Sequence, residues 1–320
     1  MNLYADSVGA LQVWLFEQVV QPALFAFGAM HLAEKSYDAI EWLILGAIEI
    51  AVLYAILRPL EARRPAEVWS NRGGVGTDVI YTLLSRLGVI TIATFFLLSP
   101  VFDWIEGELR LAGFSPFHLE DLTPAIAASP ALSFALYFVV LDFAEYWRHR
   151  LQHRFDWWWA LHALHHSQRK MSFWTDSRNH LLDDVLAGVW LAMIALLIGI
   201  PPGQFLFIVI ATRMIESLSH ANLRMPFGTV GERLVVSPRF HRRHHAIGVG
   251  HEGAYQGCNF AVLLPLWDLL FGTADFDATT EPTGVRDQLS GRDYGRGFWA
   301  QQVSGLVRMG RAISGIARDR

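Results

Sequence analysis

The sequence predicts an all-helical, polytopic membrane protein with about four to six membrane helices and a cytoplasmic, histidine-rich helical cap. Three observations predict it. Hydrophobic residues make up 52% of the 320-residue chain and charged residues 18%, with a mean hydropathy of +0.28. Several apolar runs reach the roughly 20 residues needed to cross a bilayer core. The histidines concentrate in three short clusters near the ends of those runs.

The elements follow in chain order. Residues 9–31 are apolar but carry Glu17, Gln18 and Gln21, so this stretch either spans or lies in the interface. It lacks the basic n-region and cleavage site of a signal peptide. The first clear span is 39–60, followed by Arg58, Arg63, Arg64 and Arg72, which the positive-inside rule places in the cytoplasm. The span 78–100 leads out to an acidic loop, 101–129, carrying Asp103, Glu106, Glu108, Glu120 and Asp121. The span 130–147 returns. Two shorter runs, 183–200 and 203–219, read as a helical hairpin turning at Ile-Pro-Pro-Gly. This path brings all the histidine clusters to one side of the membrane. Residues 220–275 are a soluble stretch. The tail 292–320 places Arg292, Arg296, Arg308, Arg311, Arg318 and Arg320 among apolar residues and reads as a basic surface helix against anionic lipid. The expected division is 1–130 for N-terminal helices and external loop, 131–275 for the histidine-bearing domain, and 276–320 for the basic tail.

The clusters are His149 and His153; His162, His165 and His166; and His241, His244 and His245. Residues three and four apart share a helix face, so each cluster can direct its imidazoles to one point. Ser237 and Pro238 suit the cap and first position of a helix bearing the third cluster. Eight imidazoles exceed what one ion takes, which leads to two metal ions side by side. His180 and His220 flank the hairpin and are further candidate ligands. His31, His118 and His251 are expected not to be ligands. Glu145, four before His149, and Asp142, seven before it, are candidates to orient that imidazole. Trp157, Trp158, Trp159, Phe173 and Trp174 either line a lipid channel or form an interfacial belt. The lone Cys258 excludes an intramolecular disulfide. A net charge of −4 with no concentrated basic module argues against nucleic-acid binding.

The strings DFAEYWRHRLQH, LHALHHS, HANLRMPFG, SPRFHRRHH and NFAVLLPLWDLLFGT, in that order over about 130–275, resemble the fatty acid hydroxylase/sterol desaturase superfamily. The resemblance implies a non-haem di-iron membrane enzyme with a cytosolic cap. Its reaction would be O2-dependent hydroxylation or desaturation of a lipid C–H bond. Ten histidines would hold the two irons: His149, His153, His162, His165, His166, His180, His220, His241, His244 and His245. Trp267, Asp268, Phe271, Gly272 and Thr273 match a closing signature that looks structural. With no haem or flavin domain in view, electrons would come from an external donor, a ferredoxin or a cytochrome b5-type protein with its reductase. The chain ends IARDR, without the dilysine retrieval signal of microsomal members, which favours a bacterial inner membrane.

Two other readings use the same clusters. A metal transporter would place its ligands inside the spans, whereas these lie at segment ends. A zinc-dependent membrane hydrolase needs about three protein ligands and a carboxylate base, fewer than this chain supplies.

Overall fold

The computed structural model describes residues 3–115, 117–251, 255–277, 279 and 281–315. It is helical, and among these residues extended pairing is limited to an isolated antiparallel bridge between Ala246 and Thr283. In chain order the helices are α1 (Leu3–Leu15), α2 (Gln21–Ala26), α3 (Ala33–Arg63), α4 (Val75–Arg86), α5 (Val89–Leu111), α6 (Pro124–Ala127), α7 (Pro130–Arg154), α8 (Asp156–His166), α9 (Leu181–Ile198), α10 (Pro202–His220), α11 (Gly228–Leu234), α12 (Pro238–His244), α13 (Leu266–Phe271) and α14 (Phe298–Ile313).

Local chemistry sets the boundaries that matter for the histidines. Ser129 Oγ accepts from Leu132 N and Pro130 opens α7. Ser237 Oγ accepts from Phe240 N at 3.1 Å, with Pro238 in the first position of α12, as the sequence predicts. The last turn of α7, the last of α8, the end of α10 and all of α12 then converge.

A buried ion-pair network ties the long helices together beneath that point. Arg86, closing α4, pairs with Glu49 of α3 and with Asp176 at 2.6 Å, and donates to Ser217 of α10 at 2.7 Å. The crossing of α3 and α4 demands glycine at position 46, because a Cβ there would stand 1.6 Å from the Arg86 carbonyl oxygen.

The apolar runs differ in detail from the expected spans. Among the described residues two helices are long and apolar enough to cross a membrane: the continuous Met30–Arg63 segment and α9, Leu181–Ile198. The run 78–100 is not one helix. It breaks at Leu87–Gly88, where Gly88 takes a left-handed φ of 79°, and the break lets Arg86 turn into the buried network. α5 then runs on to Leu111, so the first part of the expected acidic loop is helical. α9 and α10 part after their turn: α9 packs on α5, α7 and α8, and α10 on α3 and α12. At the far end of α9 from the histidines, Phe117 N donates to Leu197 O and His118 Nδ1 to Gly199 O at 2.7 Å. The acidic segment and the histidine clusters thus occupy opposite ends of α9.

Candidate metal centre

Nine buried histidines form two adjoining groups. His149, His153, His162, His166 and His244 make one; His165, His220, His241 and His245 make the other. Within each group the ligand nitrogens lie within 4.8 Å of one another. The clusters do not each aim at one point, as their spacing alone suggests. Each HxxHH cluster is divided: its i, i+4 pair goes to one group and its middle histidine to the other. His162 and His166 serve the first group and His165 the second, while His241 and His245 serve the second and His244 the first. The two clusters are nearly congruent. The ring centroids of His162 and His165 are 5.3 Å apart at 26°, as are those of His241 and His244. The i, i+4 pairs stand at 4.9 Å and 66°, and 4.8 Å and 65°. The groups meet where the His166 and His245 rings stack at 4.2 Å.

Hydrogen bonds from the distal ring nitrogens fix the tautomers, since a backbone carbonyl can only accept. His149 Nδ1 donates to Phe260 O at 2.8 Å, His244 Nδ1 to Cys258 O at 2.7 Å and His220 Nδ1 to Glu216 O at 2.7 Å. His153 Nδ1 reaches Gln256 O at 3.3 Å. The opposite nitrogens are left as lone-pair donors, and those of His149, His153 and His244 are buried without a protein partner. In the second group, His220 Nε2 lies 3.0 Å from His165 Nε2 and 2.9 Å from His241 Nε2, which is 3.1 Å from His245 Nε2. Two nitrogens bound at right angles to one metal at ~2.1 Å would be about 3.0 Å apart. The donor set and its spacing therefore fit two imidazole-bound transition metals.

Burial, reinforced by neighbouring imidazoles, drives the protonation equilibria of His162, His165, His166, His241 and His245 well below 6.5. Burial also takes His244 down to about 3. These rings are neutral at physiological pH, the form that binds metal.

A fatty acid hydroxylase family model matches residues 134–273, the stretch that carries all nine. The chain is 31% identical over 269 residues to the ornithine lipid hydroxylase OlsE of Rhizobium tropici, covering 83% of this chain and 75% of that one. The chain belongs to the fatty acid hydroxylase/sterol desaturase superfamily. It is also 30% identical to the alkylglycerol monooxygenase of Danio rerio and 29% identical to that of Homo sapiens, over 43% and 45% of this chain. Those matches span only 29% and 30% of the two monooxygenases' own lengths. No solved structure matches the chain.

The surroundings of this superfamily site depart from the sequence reading in four places. His180 does not join either group. Its Nε2 donates to Gln302 O at 2.8 Å and its Nδ1 accepts from Leu182 N at 3.1 Å, so both ring nitrogens are committed at the start of α9. Glu145 does not orient His149; it forms a salt bridge to Arg148 at 2.5 Å. Asp142 accepts from Leu263 N, Leu264 N and Trp267 Nε1 at 3.0, 3.2 and 2.8 Å, and so holds the closing signature rather than an imidazole. Trp158 and Trp159 are interior residues and not part of an interfacial belt: Trp159 packs 4.9 Å from His153 and 5.3 Å from His166.

The carboxylate that holds an imidazole is Asp183, which sequence reasoning missed. It accepts from His162 Nδ1 at 3.1 Å, Trp158 Nε1 at 2.7 Å and Gln152 Nε2 at 2.8 Å. Its signal was available: an acid at the head of an apolar run marks a functional position. The closing signature works at one remove. Asp268 accepts from Phe260 N and Ala261 N at 2.9 and 2.8 Å, fixing the strand of backbone whose carbonyl takes His149 Nδ1. Tyr146 and Thr273 join through their hydroxyls at 3.1 Å, and Gly272 supplies the left-handed cap of α13 at φ 69°. Of the histidines expected not to bind metal, His31 and His118 lie far along the chain from both groups. His251 stands outside them but beside His166, ring centroids 4.5 Å apart, and donates from Nε2 to Gly284 O at 3.2 Å.

Proposed function

We propose that this protein is a membrane-bound di-iron lipid hydroxylase. The observation that carries the reading is the convergence of nine buried, neutral imidazoles into a group of five and a group of four, with the neighbours His165 and His166, and His244 and His245, divided between them. Two irons held by these groups would supply the reduction of O2 that scission of an unactivated C–H bond requires. The overall change inserts one oxygen atom into the C–H bond and reduces the other to water, consuming two electrons and two protons from an external donor such as a ferredoxin or a cytochrome b5-type protein. The relatives at 31% and 30% identity, a lipid hydroxylase and a monooxygenase, favour hydroxylation over desaturation.

The chain's own residues do the positioning. Asp183, Phe260 O, Cys258 O and Glu216 O hold His162, His149, His244 and His220 by their distal nitrogens, so the metal-facing nitrogens are fixed in direction and tautomer. Burial removes water that would compete for the metal positions. α3 and α9, with α4–α5, α7 and α10 beside them, would form the membrane body, four to six spans in all with the histidines at the cytoplasmic ends. Lipid would then approach laterally with its reactive carbon near the metals. The 31% identical relative, covered over three quarters of its length, supports a membrane lipid with an ornithine-type headgroup as the substrate to try first. The test is comparative lipidomics of a deletion strain and a complemented strain under isotopically heavy O2. A lipid present only with the gene and carrying one heavy oxygen supports the proposal. A complemented strain whose product lacks the label and differs by two hydrogens would establish desaturation instead.

A further inference from the structure

α14 is an amphipathic helix mounted inside out. Gln301, Gln302 and Arg308 face the protein: Gln301 is 3% exposed and Arg308 4%. Arg308 donates from Nε to Ala160 O of α8 at 3.2 Å and lies over the Tyr294 ring at 4.3 Å. Gln302 donates to Tyr81 Oη of α4 at 2.9 Å and accepts from Leu181 N of α9 at 2.8 Å. Gly305 makes this fit possible, because a Cβ there would meet His180 Cδ2 at 2.3 Å. The opposite face is apolar and uncovered. Trp299 is 73% exposed, Val303 60% and Ile313 68%, with Leu306 and Val307 between them. Spacings of three, four and seven put these five residues on one stripe. No acidic residue occurs in α14, and Arg296 and Arg311 stand exposed at its two ends.

We propose that α14 is an in-plane membrane anchor. Its outer stripe lies in the acyl boundary of the bilayer, and Arg296 and Arg311 sit at the level of anionic headgroups. Two independent observations select lipid as the occupant. The charge at the helix ends complements an anionic surface. The height is right as well: Gln302 is bonded to Leu181, the first residue of the apolar helix α9, so the helix sits where that helix enters the hydrocarbon. An aromatic residue at one end of the stripe, Trp299, suits the interface. The proposal rests on the membrane reading of α9, and the experiment separates the two.

Full-length protein in which Cys258 is replaced would be spin-labelled singly at Val303, Leu306, Leu197 of α9 or Ser290, and reconstituted into bilayers of phosphatidylethanolamine and phosphatidylglycerol. Collision with lipid-soluble O2 is compared with collision with an aqueous nickel chelate. The anchor predicts O2-dominated collision at 303, 306 and 197 and nickel-dominated collision at 290. Lipid exposure at 197 with aqueous exposure at 303 and 306 would overturn the anchor alone. Aqueous exposure at all these positions would overturn the membrane reading as well. Shielding of 303 and 306 from both reagents would overturn the anchor in favour of a second copy covering the stripe. A variant that keeps Cys258 gives the same answer: the emission lost in Trp299→Phe should be the part quenched by brominated lipid, and an unquenched difference spectrum would contradict the proposal.

Discussion

The Nε2 atoms of His220 and His241 lie 2.9 Å apart, although the Nδ1 of His220 already spends its proton on the Glu216 carbonyl. A lone pair is thus held against a second imidazole nitrogen. One cation coordinated by both would account for it, and His165 and His245 complete the same group. Replacing His241 with Ala should empty the group of four while leaving the five nitrogens of the other, so bound metal falls to about half and lipid oxidation is lost. Metal quantification on the purified variant checks this; undiminished metal would contradict the division of the clusters.

Asp183 should matter as much as a ligand while touching no metal. It accepts from His162 Nδ1, and removing such a partner costs about 10- to 100-fold in metal affinity or activity. Asp183→Asn should show that loss in a metal-competition titration, with the helices intact by circular dichroism. An unchanged affinity would mean that His162 is oriented by α8 alone.

His180 should behave as a structural residue. Its ring caps α9 and holds the backbone of α14, so His180→Ala should retain its metal and lower the unfolding temperature by an amount corresponding to about 1 kcal/mol, the usual worth of a helix cap. Loss of metal equal to that of His241→Ala would restore it to the ligand set.

The metal-free protein should weaken as pH falls. The buried imidazoles of α8 and α12 titrate below 6.5 when folded and at about 6.5 when unfolded, so they contribute nothing above that value. Below it the unfolded chain binds protons that the folded chain refuses, and stability drops by up to about 1.4 kcal/mol per pH unit for each such imidazole. For His244 the loss continues to about 3. Thermal unfolding of chelator-treated protein should be flat above neutrality and fall steadily on the acid side. A rise on acidification would contradict the burial of the cluster.

Much of this site was legible because helix periodicity and imidazole chemistry are local. The spacing of His162, His165 and His166 already places them on one face, and Ser237–Pro238 marks the start of α12 in the sequence itself. The division of each cluster between two groups was not legible, since it depends on how α8 and α12 meet in space. The same holds for His180: its position at a helix start is visible in the sequence, but the carbonyl of Gln302, 122 residues away, is not. The break at Gly88 was hidden inside an apolar run, and its cause, the pull of Arg86 toward Glu49 and Asp176, is tertiary. Of the expected basic tail, Arg318 and Arg320 lie outside the described residues, Arg308 is buried against α8 and Arg292 pairs with Asp287 at 3.0 Å, so the sequence alone overstated its basic surface, and Arg296 and Arg311 are the arginines left exposed there.

The proposed function stands on two irons, one held in each histidine group. The most direct measurement is metal analysis with Mössbauer spectroscopy on full-length protein produced with enriched iron and purified in lipid nanodiscs. The account predicts about two irons per chain in nitrogen-rich environments, falling to about one in His241→Ala. A single zinc per chain, or iron content unaffected by that substitution, would contradict it.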